Sequence, residues 1–234
     1  MRKTTWAARA VGTLASATIL ALELTAVPAL AETQTLKEWK CTGAPDVPWD
    51  EQIVGCANAI KSGKYAGNEL AVAFKVRGNV YFAMKNFDQA IADYTEAIRL
   101  DPNFAGAFNN RGSAYRGKGD LDRAIADYSE AIRSDPNYAV AFNNRGVARQ
   151  MKGELDQAIA DYTTAMRLDP TYAAPAGSRG FAYQSKGEFD RAAADWDEAI
   201  RLDPKDSIAI NNRGMVRLAK NDLDHAIADF DETL

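Results

Sequence analysis

The pattern of apolar and polar positions is clearest between residues 105 and 138, where it predicts two helices joined by a short turn. The first helix is predicted over 105–117, because its apolar and small positions are spaced four and three residues apart and share one face. Gly119 is suited to ending that helix, and Asp120 or Asp122 to capping the next one. The positions that define the pattern are Phe108, Gly112, Tyr115, Ala124, Tyr128, Ala131 and Pro136.

The same pattern returns at a spacing of 34 residues along most of the chain. Phe74, Gly78 and Tyr81 lie one period earlier, and Phe142 and Gly146 lie one period later. Such a period indicates stacked helix–turn–helix units, each of which buries its apolar face only against its neighbours. The pattern therefore predicts five units, the last one truncated: 71–104, 105–138, 139–172, 173–206 and 207–234.

These residues and their spacing resemble the tetratricopeptide repeat (TPR) family, and the resemblance covers residues 71–234. It implies an all-α, right-handed superhelix of antiparallel helix pairs, in which the first helices line a concave groove. The position of Gly112 is glycine in every unit, although a glycine within a helix lowers helix stability by about 1 kcal/mol relative to alanine. We therefore expect two backbones to approach closely there, with Ala124 as the small residue opposite.

Residues 1–31 have the features of a secretory signal peptide: a basic start, an Ala-rich apolar run and a small-x-small site that ends at Ala31. An uncleaved anchor is the alternative, but the run is short for a bilayer. We expect the mature chain to start near Glu32 and to reach a bacterial periplasm or the outside of the cell, with no membrane insertion after cleavage. Loss of three basic residues and one acidic residue from 28 Lys+Arg and 32 Asp+Glu leaves a net charge of −6. This charge argues against nucleic acid as a partner.

The chain has two cysteines, Cys41 and Cys56. In an exported protein an isolated pair predicts a disulfide, with two free thiols as the alternative. Residues 50–60 match 122–132, which predicts that 50–70 is a degenerate half repeat with its linker and that 32–49 is irregular. Cys56 takes the place of a repeat tyrosine. We therefore expect the segment around Cys41 to replace the missing first helix as an N-terminal cap.

An arginine precedes the recurring glycine in all five units, where the TPR family usually has an apolar residue. An aspartate also recurs on every second helix. These repeated partners predict a structural Arg–Asp pair within or between repeats, and contact with a ligand is the alternative. The residues are Arg77, Arg111, Arg145, Arg179 and Arg213, with Asp93, Asp127, Asp161, Asp195 and Asp229.

The sequence presents no acid, base and nucleophile set that would support catalysis, and we expect neither an enzyme nor a cofactor or metal site. Its one histidine, His225, is predicted on the outer face of a second helix. A single histidine far from the cysteines argues against a zinc site.

Two features of the first helices suggest binding. Asn110, Asn144 and Asn212 occupy the same repeat position, and side-chain amides match the C=O and N–H groups of an extended peptide. Such a series resembles the asparagine ladder of peptide-binding TPR proteins. Packing between repeats is the alternative role, and the sequence leaves both open.

The second feature is Lys75 with Asn79, followed by Asn110. These three match positions of the carboxylate-clamp TPR domains, which hold a C-terminal carboxylate. The remaining clamp positions fall on Val140 and Asn144, neither of which carries a charge. The departure weakens the expectation that a chain end is recognised.

The resemblance and the absence of catalytic residues together predict a protein-interaction scaffold that binds a peptide or a helix of a partner protein in its concave groove. The alternative is a structural subunit of a cell-envelope assembly, or a solenoid that self-associates. Leu223, Ile227 and Phe230 are predicted to form an apolar end face on the last unit. Truncation of the sequence and docking of a second copy at this end both remain open.

Overall fold

A computed structural model of the protein describes residues 36–233. The expected signal peptide, residues 1–31, lies outside the described residues. Within the described range the chain forms eleven helices of ten or more residues and no strand. They are α1 Trp49–Lys61, α2 Gly67–Ala83, α3 Phe87–Leu100, α4 Ala105–Gly117, α5 Leu121–Ser134, α6 Ala139–Met151, α7 Leu155–Leu168, α8 Ala174–Ser185, α9 Phe189–Leu202, α10 Ser207–Ala219 and α11 Leu223–Glu232.

The all-α fold expected from the sequence is confirmed. From α2 onward the helices pack as consecutive pairs, and each second helix also packs on the first helix of the next pair. The predicted helix at 105–117 is α4, and Asp120 caps the following helix by accepting a hydrogen bond from the Arg123 backbone N–H at 3.2 Å. None of the eleven helices, all within the described residues, is both long and apolar enough to cross a bilayer.

The stack curves with its first helices on the inside. Successive first helices contact one another at α2–α4, α4–α6 and α6–α8. Successive second helices, from α3 to α11, do not approach one another as closely. Elements that lie closer together occupy the shorter, inner side of a curved array. We call the surface of α2, α4, α6, α8 and α10 on that side the inner groove.

The recurring glycines make room for an aromatic ring. A Cβ atom at Gly112 would lie 2.9 Å from a ring carbon of Tyr128, and 3.1 Å from the Ala124 carbonyl oxygen. The expected close approach of two backbones is therefore only part of the explanation, because the tyrosine ring of the second helix is nearer still. Tyr94, Tyr128 and Tyr162 are almost completely buried in this way.

The N-terminal half repeat consists of α1 and an irregular segment that packs where a first helix would lie. Cys41 and Cys56 are joined by a disulfide with an S–S distance of 2.04 Å, and both are buried with Leu36, Ala59 and Ala73 in one apolar cluster. The segment around Cys41 therefore covers α1 and reaches α2.

Two residues of α1 depart from the repeat pattern to accommodate this segment. Gln52 stands where the repeats place Ala124, and its Nε2 donates to the carbonyl oxygens of Ala44 at 3.0 Å and Val47 at 2.8 Å. Gly55 stands where the repeats place an aspartate. A Cβ atom at Gly55 would lie 1.7 Å from the Trp39 carbonyl oxygen, so the cap passes too close for any side chain.

Replacing Gly55 by alanine should therefore loosen the cap. Relief of a backbone clash requires movement of the 36–41 segment, and we expect a loss of about 1–3 kcal/mol or more, the usual range for overpacking. Hydrogen exchange should rise in α1 and stay unchanged in α8. The matched control is Gly63→Ala, because a Cβ atom at Gly63 meets no neighbour within 4 Å. Gly63 has a φ of +67°, a backbone conformation that is strained for alanine. Gly63→Ala therefore measures the effect of backbone strain in the absence of a steric clash.

Candidate functional site

The repeated arginines form structural pairs. Each donates two hydrogen bonds to the aspartate of its own second helix, as Arg111 does to Asp127 with both distances at 2.8 Å. From the second unit onward each arginine also reaches the preceding repeat: Nη1 of Arg111 donates to Thr95 Oγ1 at 3.1 Å. Both partners lie largely out of solvent. This geometry is the structural pairing that the sequence predicts.

The inner groove brings two of the predicted contact residues together. Asn79 Oδ1 accepts hydrogen bonds from the Tyr94 hydroxyl at 2.9 Å and from Asn110 Nδ2 at 2.8 Å. Burial, together with the neighbouring Asp93 charge, raises the pKa of the Tyr94 hydroxyl well above its ordinary value. Tyr94 therefore remains a neutral donor. A small cavity of about 230 Å³ opens between these side chains, Phe82 and Ser113.

A third asparagine, which the sequence analysis did not single out, continues this arrangement. Asn109 Nδ2 donates to Asn110 Oδ1 at 3.1 Å, and Asn109 Oδ1 accepts from Asn144 Nδ2 at 3.0 Å. Asn79, Asn110, Asn109 and Asn144 thus form one chain of amides across three repeats. Asn109 directly precedes Asn110 in the sequence, and it is the buried central link of this chain, at 5% exposed.

The amide chain decides which of these side chains is available to a ligand. Asn110 is engaged through both its oxygen and its nitrogen, so its geometry is that of a packing residue. Asn79 Nδ2 and Asn144 Oδ1, at the two ends of the chain, have no hydrogen-bond partner within the described residues. Asn212 is half-buried and makes no hydrogen bond in the same range. It lies apart from the chain, beside Phe181 and Ile208.

Lys75 lies one helical turn before Asn79 on α2. Its ammonium group sits 5.3 Å from the centre of the Phe104 ring, and no carboxylate among residues 36–233 pairs with it. Burial lowers the pKa of Lys75 from its ordinary value of 10.5. The two remaining clamp positions, Val140 and Asn144, bring no charge, so the structure gives no second cation from that set.

Arg116 supplies a second cation in the inner groove that the sequence analysis missed. It lies three residues after Ser113, whose Oγ is 3.1 Å from the Tyr128 hydroxyl oxygen. Burial raises the pKa of Tyr128, whereas the Ser113 hydrogen bond and the nearby Arg116 charge oppose that rise. Within the described range Arg116 has no carboxylate partner. The signal in the sequence was its helical spacing from Asn109 and Ser113.

The same groove becomes apolar toward its C-terminal half. Met151, Phe181 and Ile208 are 57%, 48% and 70% exposed and converge on a cavity of about 430 Å³. These side chains lie on three successive first helices. No pattern in the sequence marks these three residues, because each stands alone on its own helix.

The remaining expectations concern the last unit. Leu223 and Ile227 are exposed and Phe230 is half-buried, as an apolar end face requires. His225 is exposed, and its Nδ1 lies 2.8 Å from Asp222 Oδ1. No group of three or more His, Cys, Asp or Glu side chains within residues 36–233 has the geometry to hold a metal ion.

The fold and this groove are those of an α-solenoid, a class built from stacked helix pairs. Family models described as TPR repeat match residues 78–119 and 112–153, and models described as tetratricopeptide repeat match 139–172 and 179–234. The chain belongs to the tetratricopeptide repeat family. A comparison with curated proteins gave no match.

Several solved structures are similar to this chain. The crystal structure of MamA is 27% identical with a TM-score of 0.62, covering 67% of this chain and 91% of that one. The first TPR of Spaghetti (RPAP3), bound to the HSP90 peptide SRMEEVD, is 28% identical with a TM-score of 0.51, covering 53% and 99%. YrrB, described as a TPR protein with an unusual peptide-binding site, is 20% identical with a TM-score of 0.60, covering 76% and 90%, and shows the fold alone. The fold and these neighbours support a protein-interaction scaffold.

Proposed function

We propose that the inner groove binds an extended, acidic segment of a partner protein and that the chain acts as a non-enzymatic scaffold. The observation that carries this proposal is the pair of groove cations, Lys75 and Arg116, without carboxylate partners within the described residues. Both stand out in a protein whose formal net charge is −4. Burying part of a cation without a carboxylate partner is costly, and an incoming carboxylate removes that cost.

The groove also offers hydrogen-bonding groups suited to a peptide backbone. Asn79 Nδ2 can donate to a peptide carbonyl, and Asn144 Oδ1 can accept from a peptide N–H. Asn212 retains both capacities. The peptide held by the similar first TPR of Spaghetti, SRMEEVD, carries three acidic side chains, which supports the acidic character proposed for this partner.

Replacing Lys75 by methionine should separate binding from stability. The variant is expected to be at least as stable as the wild type, because burial penalises the unpaired ammonium. Its affinity for a labelled Gly/Ser peptide that carries two adjacent glutamates should fall about tenfold or more, the scale of one charge-assisted hydrogen bond. Fluorescence polarisation measures the affinity, and urea denaturation measures the stability.

Lys205→Met is the matched control, because Lys205 is exposed and outside the groove. Wild-type affinity should fall with added salt. It should also fall as the pH rises through the lowered pKa of Lys75, since only the ammonium form attracts a carboxylate. Equal loss of affinity in both variants would contradict the proposed site.

The proposal includes export to a periplasm or the cell exterior. It is supported by the signal-like pattern of residues 1–31 and by the Cys41–Cys56 disulfide, which oxidising compartments maintain. Fractionation of cells that express the tagged chain tests it directly.

Self-association is a second candidate function, favoured by the exposed Leu223 and Ile227, at 51% and 58%. A structural subunit of a cell-envelope assembly would use the same surface. Light scattering over a range of concentrations distinguishes it from a monomeric peptide binder: the mass should rise with concentration and should stop rising in Leu223→Ser/Ile227→Ser.

A further inference from the structure

One repeat differs from its neighbours beneath the apolar part of the inner groove. Repeats two and three place Asn109 and Asn143 on the first helix, and tyrosines on the second. The fourth repeat has Gly177 and Trp196 at these positions. A Cβ atom at Gly177 would lie 3.2 Å from a ring carbon of Trp196. The larger indole therefore extends beneath Gly177, and no side chain covers it there.

This exchange gives the 430 Å³ cavity its floor. We call it the apolar pocket, with Trp196 at the base, Met151, Phe181 and Ile208 as walls, and Asn212 at the rim. Trp196 is only 4% exposed, and the part of its indole that lies under Gly177 is the benzene ring, at Cζ3 and Cε3. The base of the pocket is therefore an apolar surface.

The charges around the pocket limit what can occupy it. Asp206 is the one charged residue that lines it, and its Oδ1 already accepts from the backbone N–H groups of Ile208 at 3.0 Å and Ala209 at 3.1 Å. The other lining residues are uncharged. The groove cations, Lys75 and Arg116, belong to earlier repeats. The groove is thus cationic at one end and apolar at the other.

We propose that the apolar pocket receives a bulky apolar side chain from the same acidic segment that contacts Lys75 and Arg116. This inference rests on the proposed function and adds the apolar pocket as a second determinant of how the partner segment binds. Arg116 on α4 and Phe181 on α8 are separated by two steps between contacting first helices. Each step is roughly 8–10 Å, and each residue of an extended peptide spans about 3.3–3.6 Å. The acidic and apolar residues of the bound segment are therefore about five or six positions apart.

The test uses three labelled Gly/Ser peptides, made in both chain directions. The acidic–apolar peptide carries two adjacent glutamates and a phenylalanine at this spacing, the acidic peptide has serine in place of phenylalanine, and the apolar peptide has serines in place of the glutamates. Burial of a phenylalanine side chain should make the acidic–apolar peptide bind about ten- to a hundredfold tighter than the acidic peptide.

Gly177→Asn/Trp196→Tyr rebuilds the fourth repeat in the form of the second and third, so it should fold and fill the pocket. In this variant the phenylalanine is expected to give no gain in affinity over the acidic peptide, and the acidic peptide should bind with wild-type affinity. Met151→Ser should reduce the advantage, whereas Met84→Ser should not. Met84 is the matched control because it is 48% exposed, against 57% for Met151, and does not line the pocket.

The outcomes separate the two proposals. Equal affinity of the acidic–apolar and acidic peptides for the wild type would overturn the apolar pocket and leave the acidic groove intact. Binding of the apolar peptide without the acidic one would overturn the acidic groove and leave the pocket. An undiminished phenylalanine advantage in the folded double variant would also overturn the pocket, and no binding of any peptide would overturn both.

Discussion

Arg111→Ala is expected to cost about 3–5 kcal/mol of stability, the range for removing one partner of a buried ion pair. Asp127 is 6% exposed and has no cation other than Arg111 within hydrogen-bonding distance in the described range. The variant would therefore leave a buried carboxylate uncompensated. It would also break the Arg111–Thr95 bond that links two repeats. The hydrogen bond to Asp127 raises the pKa of the Arg111 guanidinium, so Arg111 stays charged throughout the usual pH range.

The same substitution at Arg145 should cost less, although the sequence gives no reason to distinguish the two. Asp161 accepts from Arg145 and also from Arg149 Nη1 at 2.8 Å, so a cation remains when Arg145 is removed. Arg133→Ala, which removes an exposed i,i+3 pair with Glu130, should change stability by about 1 kcal/mol or less.

Urea denaturation combined with hydrogen exchange measures these effects, because stacked repeats need not unfold in one step. Protection should fall most in α4 and α5 for Arg111→Ala. Equal costs at Arg111 and Arg133 would show that the carboxylate of Asp127 is compensated by water, contrary to the buried pair described above.

Removal of the Cys41–Cys56 disulfide is expected to cost about 3 kcal/mol in the chain-entropy model for a loop of this length. The two cysteines are 15 residues apart. For a domain of this size the loss corresponds to a fall of about 6–12 °C in Tm. The shape of the helical CD spectrum should stay the same, because α2–α11 do not depend on the cap for their own pairing.

Two routes to the reduced state provide the check. Full reduction of the wild type and the Cys41→Ala/Cys56→Ala variant should give similar falls in Tm, and hydrogen exchange should rise first in α1 and α2. A Tm that does not move on complete reduction would mean that packing of Leu36 and Gln52 holds the cap without the covalent bond. Peptide binding at the apolar pocket should be unaffected in both.

The candidate site was only partly predictable. The sequence identified Asn110, Asn144 and Asn212 as a series of groove amides and left open whether they bind or pack, and it matched Asn79 with Lys75 to the carboxylate clamp. In the structure Asn110 packs, through two hydrogen bonds, whereas Asn212 remains unpartnered in the described range. This outcome depends on Asn109, whose burial could not be read from its spacing. Arg116 and Met151 escaped notice because each is one residue on one helix.

The sequence by itself determined the period, the helix pairs, the Arg–Asp partners and the cysteine pairing. These depend on residues whose relative positions are set by helix geometry and by a strict 34-residue repetition. Only the tertiary structure decided which amides bond to one another, which cations lack a carboxylate and where Gly177 makes room for the Trp196 ring. Those facts depend on distances between side chains of different repeats, which local spacing does not specify.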